Sequence, residues 1–399
     1  MPSLPTYPEA LSAALSLVES SLGVETVPLN QAADRVLAEP ILADRDTPPF
    51  DRAMMDGYAL RAAELKPGVP MPVAGAIAAG TAADASIPPG ACVKIATGAP
   101  VPPGLDAVIR HEWSDRADPV RFTVGSINKG HAIHPRGADA RRGDVVVPGS
   151  TVLRPEHLGI AAAMGATLLS VRRRPRVAIL TSGDEVRPAD ATVLDHQIRN
   201  SNAPMLADAA RRFGAMVTHV EHVPDDDALT AAAFEHALAR CDLLLSVGGV
   251  SAGERDHFPS AYRRGGVTMA VSGAAIQPGR PITVGRAPNG VIVAGLPGNP
   301  VSALACAHLF VWPIVRSMLG LDPWLRWEAR TLAQPVTPNA QRQAFRPARL
   351  NRDGTIAVPR WAGSGDLVHT GQTDGLAELP VQVDDVPTGA AVRFVAWAS

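Results

Sequence analysis

The chain has 399 residues, of which 46% are hydrophobic, and a formal net charge of −2. That length exceeds one compact domain, and so small a charge supplies no basic field for nucleic acid. The three cysteines, Cys92, Cys241 and Cys306, lie far apart without metal-ligating spacing and read as small buried hydrophobes of a reducing compartment.

Along the chain, residues 1–8 carry neither a basic residue nor an apolar run, so no secretory signal is expected. Residues 9–22 place Leu11, Leu15, Val18 and Leu22 at helical spacing, and a weaker helix is expected over 30–38. The segment 44–51, with Pro48 and Pro49, breaks the periodicity. Short β-like runs separated by Gly and Pro follow, at 70–76, 91–95, 107–111 and 120–124. Helix is expected again over 153–170, where Leu158, Ala161, Ala162 and Gly165 form a small-residue face. The basic run 172–176 reads as a solvated linker, with Pro175 marking a boundary.

From Val177 the pattern alternates strand and helix, with strands at 177–180, 216–220, 242–247, 267–271, 281–284 and 291–294. Helices are expected at 204–213, 227–240 and 301–319. Short continuous apolar strands of this kind belong to a mainly parallel sheet covered on both faces. The most apolar stretch, 303–315, is too short for a membrane span. After Gly320 the alternation stops, and Asp353-Gly354 signals a hairpin.

The reading is a multidomain α/β plus β chain. A central three-layer α/β domain with a mainly parallel sheet spans 173–320, and a β-rich inserted domain spans 46–138. A helical and extended linking domain comprises 1–45 and 139–172, and a small β-barrel-like domain covers 321–399.

In open α/β sheets ligands bind beyond the carboxyl ends of the strands. Those ends carry Thr181-Ser182-Gly183-Asp184-Glu185, Pro224-Asp225-Asp226, the run from Gly248 to Asp256, and Leu296-Pro297-Gly298-Asn299-Pro300-Val301-Ser302. In the last, Asn299 suits an N-cap and Pro300 the first helical position, so the turn should offer backbone N–H groups to an anion. Gly248, Gly249 and Gly253 permit close approach of a phosphate, which Glu185, Asp225 and Asp256 would repel. A divalent cation between them resolves the conflict, since Mg²⁺ takes one or two carboxylates with phosphate oxygens and water. No P-loop and no G-x-G-x-x-G after a strand is present. Gly249-Val250-Ser251-Ala252-Gly253 fits G-x-S-x-G, but a charged run follows it where a nucleophile elbow needs an apolar helix.

Together these motifs resemble the molybdopterin molybdenumtransferases, the MoeA family that includes the gephyrin E domain. The resemblance rests on D-T-P-P-F at 46–50, M-D-G-Y-A at 55–59, K-I-A-T-G-A-P at 94–100, P-G-L-D-A-V at 103–108 and R-G-A-D at 136–139. It continues through the strand-end motifs above and G-S-G at 363–365. It implies a cytoplasmic homodimer in which Asp56, Thr97 and Asp139 reach the partner subunit's α/β domain. It also implies insertion of molybdate into adenylylated molybdopterin, with Mg²⁺ present and AMP released. Asp225 and Asp256 would orient Mg²⁺ and the pyrophosphate, with Glu185 a further metal candidate. Glu185 and Asp56 would position water or the oxyanion, while Thr97 and Ser251 would donate hydroxyl hydrogen bonds. The family's Lys-Pro-Gly-Lys is here Gln277-Pro278-Gly279-Arg280. Arg280 keeps a bidentate cation, and Gln277 keeps a donor without the charge. The resemblance implies a small-molecule substrate and transient contact with other molybdenum-cofactor proteins; the residues themselves, with no signal and no span, point to a soluble cytoplasmic protein and no membrane. The alternative reading is a non-catalytic carrier of molybdopterin or finished cofactor, and a third is a scaffold.

Overall fold

The structure is a computed structural model that describes residues 4–18, 22–82, 86–249, 256–360, 363–381 and 384–398. The chain packs as two units, one of residues up to Glu25 and from Arg172 onward, the other Thr26–Val171.

The first unit is built on a six-stranded sheet. Its spatial order is Met216–Val223, Arg176–Ser182, Leu243–Val247, Ile292–Leu296, Thr283–Arg286 and Thr268–Ser272. The first four are mutually parallel, Thr283–Arg286 runs antiparallel to Ile292–Leu296, and Thr268–Ser272 reverses again. Central strands such as Leu243–Val247 are buried at every position, which explains their continuous apolar sequence. Ala178, Leu180, Leu244 and Val293 face Phe234 of helix Asp227–Leu238 and Phe258 and Tyr262 of helix Phe258–Arg264. Helix Asn202–Arg212 packs on Arg176–Ser182 and against the helix that opens at Pro300. Asp226 caps its helix as its residue type demands, accepting from the Ala228 and Leu229 N–H groups.

The long helix Pro300–Met318 passes through a π-helical segment, Ala307–Val311. It matches the helix expected over 301–319 to within a residue at each end; it has the length and hydropathy of a membrane span, but 78% of the tested window is buried in the protein, as in a core helix.

The tail forms a second sheet, ordered Ile276–Gln277, Gln343–Leu350, Gly375–Leu379, Ala391–Ala396 and Glu328–Thr331, with Ile356–Ala357 beside Gln343–Leu350. The expectation of a barrel-like domain is corrected: this is an open sheet. Its edge strands pair inward only, and no closed barrel occurs among the described residues. The Asp353-Gly354 hairpin forms, with Gly354 at φ +83° closing the turn between Leu350 and Ile356.

In the second unit a four-stranded mixed sheet is ordered Val73–Ile77, Cys92–Ile95, Gly57–Leu60 and Ala107–Arg110. No strand forms at 120–124, where Val120 and Phe122 make only single bridges. The helix expected over 30–38 is absent beyond the 3-10 turn Leu29–Gln31. Val36 and Leu37 are extended and bridge Val152 and Val171, so core burial overrides weak helical spacing. The helix expected over 153–170 ends at Ala163. Gly165 takes φ +71°, and Leu168–Arg172 continues as a strand.

Candidate active site

The site is assembled by three loops leaving adjacent parallel strands. After Leu243–Val247, Gly248 and Gly249 take φ +79° and +55°, which glycine adopts without strain. A β-carbon on Gly249 would stand 2.9 Å from Ser182 Oγ, and one on Gly248 would stand 3.1 Å from the Ser182 carbonyl. The Gly248 N–H donates to the Leu296 carbonyl at 3.2 Å, which fastens this loop to the turn after Ile292–Leu296. A β-carbon on Gly298 would lie 3.4 Å from Gly248 Cα, and the Asp256 Cα is 3.7 Å from the equivalent point on Gly249. The backbone of all three loops therefore converges. Ser251 and Gly253 fall outside the described residues.

The helix start at Pro300 is narrower as an anion site than its sequence implies. Asn299 occupies the N-cap position, but its side chain makes no cap hydrogen bond and instead donates to Ser364 Oγ at 2.8 Å. The Val301 N–H donates to the Ser364 carbonyl at 3.0 Å, Pro300 has no N–H, and Ala303 donates to Asn299. That leaves the N–H of buried Ser302 in the first turn. Pro297 is buried beneath the turn, and the Gly298 carbonyl accepts from Asn202 Nδ2 at 2.7 Å.

Carboxylates frame this backbone. Asp184 and Asp225 exchange hydrogen bonds: Asp184 accepts from the Asp225 N–H at 3.1 Å and Asp225 from the Asp184 N–H at 3.3 Å, which ties the loop after Arg176–Ser182 to the one after Met216–Val223. Glu185 is exposed and its carboxylate lies over Gly183 (φ +128°), 2.9 Å from where a β-carbon would stand, so residue 183 must be glycine. Behind them, Asn200 Nδ2 donates to the buried Thr181 Oγ1 at 2.9 Å, which sits 3.0 Å from His222 Nδ1.

Gln277 ends the short strand Ile276–Gln277, and Arg280 lies on the turn that follows it. Gly279, at φ +106°, packs against the buried Cys306, whose Sγ leaves no room for a β-carbon. Arg280 is exposed; its carbonyl accepts from the Ala274 N–H at 3.0 Å, and its guanidinium has no ion-pair or hydrogen-bond partner among the described residues.

In the other unit, Asp56 Oδ1 accepts from the Thr97 N–H at 2.7 Å and from Thr97 Oγ1 at 3.1 Å. Those bonds hold its carboxyl below the usual range. Asp139 Oδ1 stands 2.8 Å from His134 Nε2.

Comparisons with known proteins identify the family. Residues 6–165 match the family model for the MoeA N-terminal region (domain I and II), and 178–317 match that for a probable molybdopterin binding domain. The chain is 35% identical over 380 residues to molybdopterin molybdenumtransferase 2 of Mycobacterium tuberculosis, spanning 92% of this chain and 94% of the relative. The chain belongs to the molybdopterin molybdenumtransferase family. The enzyme of that name from Synechococcus elongatus is 32% identical, covering 97% of this chain and 98% of its own length. The crystal structure of the moeA protein of Pyrococcus horikoshii superposes with a TM-score of 0.87 at 28% identity, over 99% of this chain and 100% of that one. The fold is therefore MoeA-like, with mixed α/β sheets.

The strand ends read from the sequence, from Thr181-Ser182 to the Pro-Gly-Asn-Pro turn, come together in the fold. Asn200 and Asn202 were not among them. The Asn-Ser-Asn run ahead of a helix was the available signal, since Asn200 Oδ1 accepts from the Ala203 N–H.

Proposed function

We propose that this chain completes the molybdenum cofactor by inserting molybdate into the dithiolene of adenylylated molybdopterin and releasing AMP. The observation that supports this most is the convergence of the Gly248–Gly249 backbone with the Pro297–Asn299 turn and Asp256 at one rim. Such a rim suits a substrate carrying a pyrophosphate, with close backbone approach on one side and carboxylates on the other.

Water adds across the phosphoanhydride, AMP leaves, and the phosphate half stays on the pterin. As the two dithiolene sulfurs bond molybdenum, one oxo group of molybdate leaves as water with the two thiol protons. The exposed Glu185 carboxylate orients this water by accepting its hydrogen bond. Arg280 and Gln277 donate to substrate oxyanions, and the glycine backbone admits the pyrophosphate. Among the described residues no three His, Cys, Asp or Glu side chains converge as a metal cluster. One or two of Glu185, Asp225 and Asp256 would therefore hold Mg²⁺, with substrate oxygens and water completing its shell. When bound it neutralises pyrophosphate charge.

We further read the chain as a cytoplasmic homodimer of four-domain subunits. In it, Asp56, Thr97 and Asp139 of one protomer serve the partner's rim, and other molybdenum-cofactor proteins make transient contact. The neutral Gln277 favours a second reading, a carrier that binds without turnover. AMP release from adenylylated molybdopterin with Mg²⁺ separates the two. Release that requires molybdate is the expected result, whereas tight binding without release from a well-folded protein would establish the carrier.

A further inference from the structure

Gln277 is half-buried, and its amide orientation is forced by a neighbour from the tail sheet. Asn339 Oδ1 accepts from the backbone N–H groups of Gln341 and Arg342, both at 2.8 Å. Those two donors allow only oxygen at that position, so the other end of the Asn339 amide must be its NH₂. Asn339 Nδ2 then donates to Gln277 at 2.8 Å, and the atom it meets must be Oε1. The Gln277 NH₂ group consequently faces away from Asn339, and it meets no acceptor among the described residues. Ile276–Gln277 is pinned beside Gln343–Leu350 by parallel pairing at Ile276↔Gln343 and Gln277↔Ala344, a register that begins four residues beyond Asn339. Three residues on stands Arg280, whose guanidinium has no partner among the described residues.

We infer that Asn339 is a positioning residue that holds Gln277 as a fixed, neutral N–H donor to an anionic oxygen of the substrate. This deepens the transferase reading and rests on it. The subsite then offers one guanidinium and one directed amide in place of two cations. It selects an acceptor oxygen by direction as well as by charge.

The relay can be inverted. In N339D one carboxylate oxygen still accepts the two backbone N–H groups, so the turn is kept. The other oxygen can only accept, so Gln277 must turn its NH₂ inward and present Oε1 to the substrate anion. Affinity for adenylylated molybdopterin should fall at least about tenfold. Q277K in the N339D background supplies a cation that both carboxylate and substrate accept, and should restore it. Q277E leaves the Asn339 turn untouched and presents an oxygen, so it should show the same loss even where N339D folds poorly.

The experiment is equilibrium binding of adenylylated molybdopterin, thermal melting, and KM and kcat for AMP release, on the full-length wild type and these three variants. Weaker binding and raised KM in N339D and Q277E, with restoration in Q277K/N339D and unchanged melting, support the assignment. Equal affinity in all four proteins overturns it, as does a loss in N339D that tracks a lowered melting temperature while Q277E binds normally. A wild type that binds but releases no AMP overturns the transferase reading and leaves Asn339 to be judged on affinity. A wild type that does not bind overturns both.

Discussion

Asp242 ties the basic linker to the sheet. Its two oxygens accept from both terminal nitrogens of Arg173 at 2.8 and 3.1 Å, and from Nε, Nη2 and the N–H of Arg176 between 2.7 and 3.3 Å. Partial burial by itself would raise the carboxyl, but the arginine hydrogen bonds outweigh it and hold the group at about 2, against 3.8 unperturbed. The run 172–176 therefore is not a freely solvated face. Charge density alone could not show this, because the partner lies some seventy positions further on. A depressed carboxyl contributes stability that is complete above its unfolded value and lost as pH falls through its folded one. Wild-type urea midpoints should thus fall between about pH 4 and pH 2, and D242N should be flat there. At pH 7 the same substitution should cost about 1.5–3 kcal/mol through lost charged hydrogen bonds. Parallel midpoint curves for the two proteins would contradict this.

At the scale of elements, the apolar helix Pro300–Met318 carries its own titrating group. His308 lies in the π-helical segment, buried among Phe213, Trp312 and Trp397 with ring centroids 4.6 to 6.0 Å away. The Ala398 N–H donates to its Nε2 at 3.2 Å, so Nδ1 bears the proton and donates to the Leu304 carbonyl at 3.0 Å. Burial pulls its pKa down from 6.5 to about 4. Between those values the unfolded chain binds the extra proton, so stability present above about pH 6.5 drains away as pH falls towards 4. The difference is on the order of 3 kcal/mol. Denaturation midpoints over that window should drop for the wild type and stay level for H308Q. A slope unchanged by the substitution would assign the pH dependence elsewhere. This window does not overlap that of Asp242, so the two contributions separate in one titration series. The long elements were legible because burial dictates their composition: Val177 to Leu180 and Leu243 to Val247 can only be covered strands. The extended segment around Val36 was not, since its partners near Val152 and Val171 lie more than a hundred residues away.

At the scale of the whole molecule, what was legible in the site was backbone chemistry. Glycines that must adopt positive φ, and a proline that must open a helix, announce their geometry in sequence. The contacts that trim the site were not legible. Ser364 closing over Val301, Asn339 setting Gln277 and Ser182 beneath Gly249 depend on loops that only folding brings together. The proposed sharing of each site between subunits has a consequence that no single-chain property mimics. D56N and D225N should each be inactive as homodimers, the first lacking the group lent to the partner and the second lacking one on the rim itself. Denatured together and refolded one to one, they form heterodimers as about half of the dimers. Each heterodimer has one rim with both defects and one with neither, so AMP release should recover to about a quarter of wild type. Sites contained within one chain would give no recovery on mixing, because every site would keep its own lesion. Size-exclusion chromatography of the same samples checks that dimers reform. Zero activity from a well-formed mixed dimer would therefore place Asp56 and Asp225 in the same subunit's site.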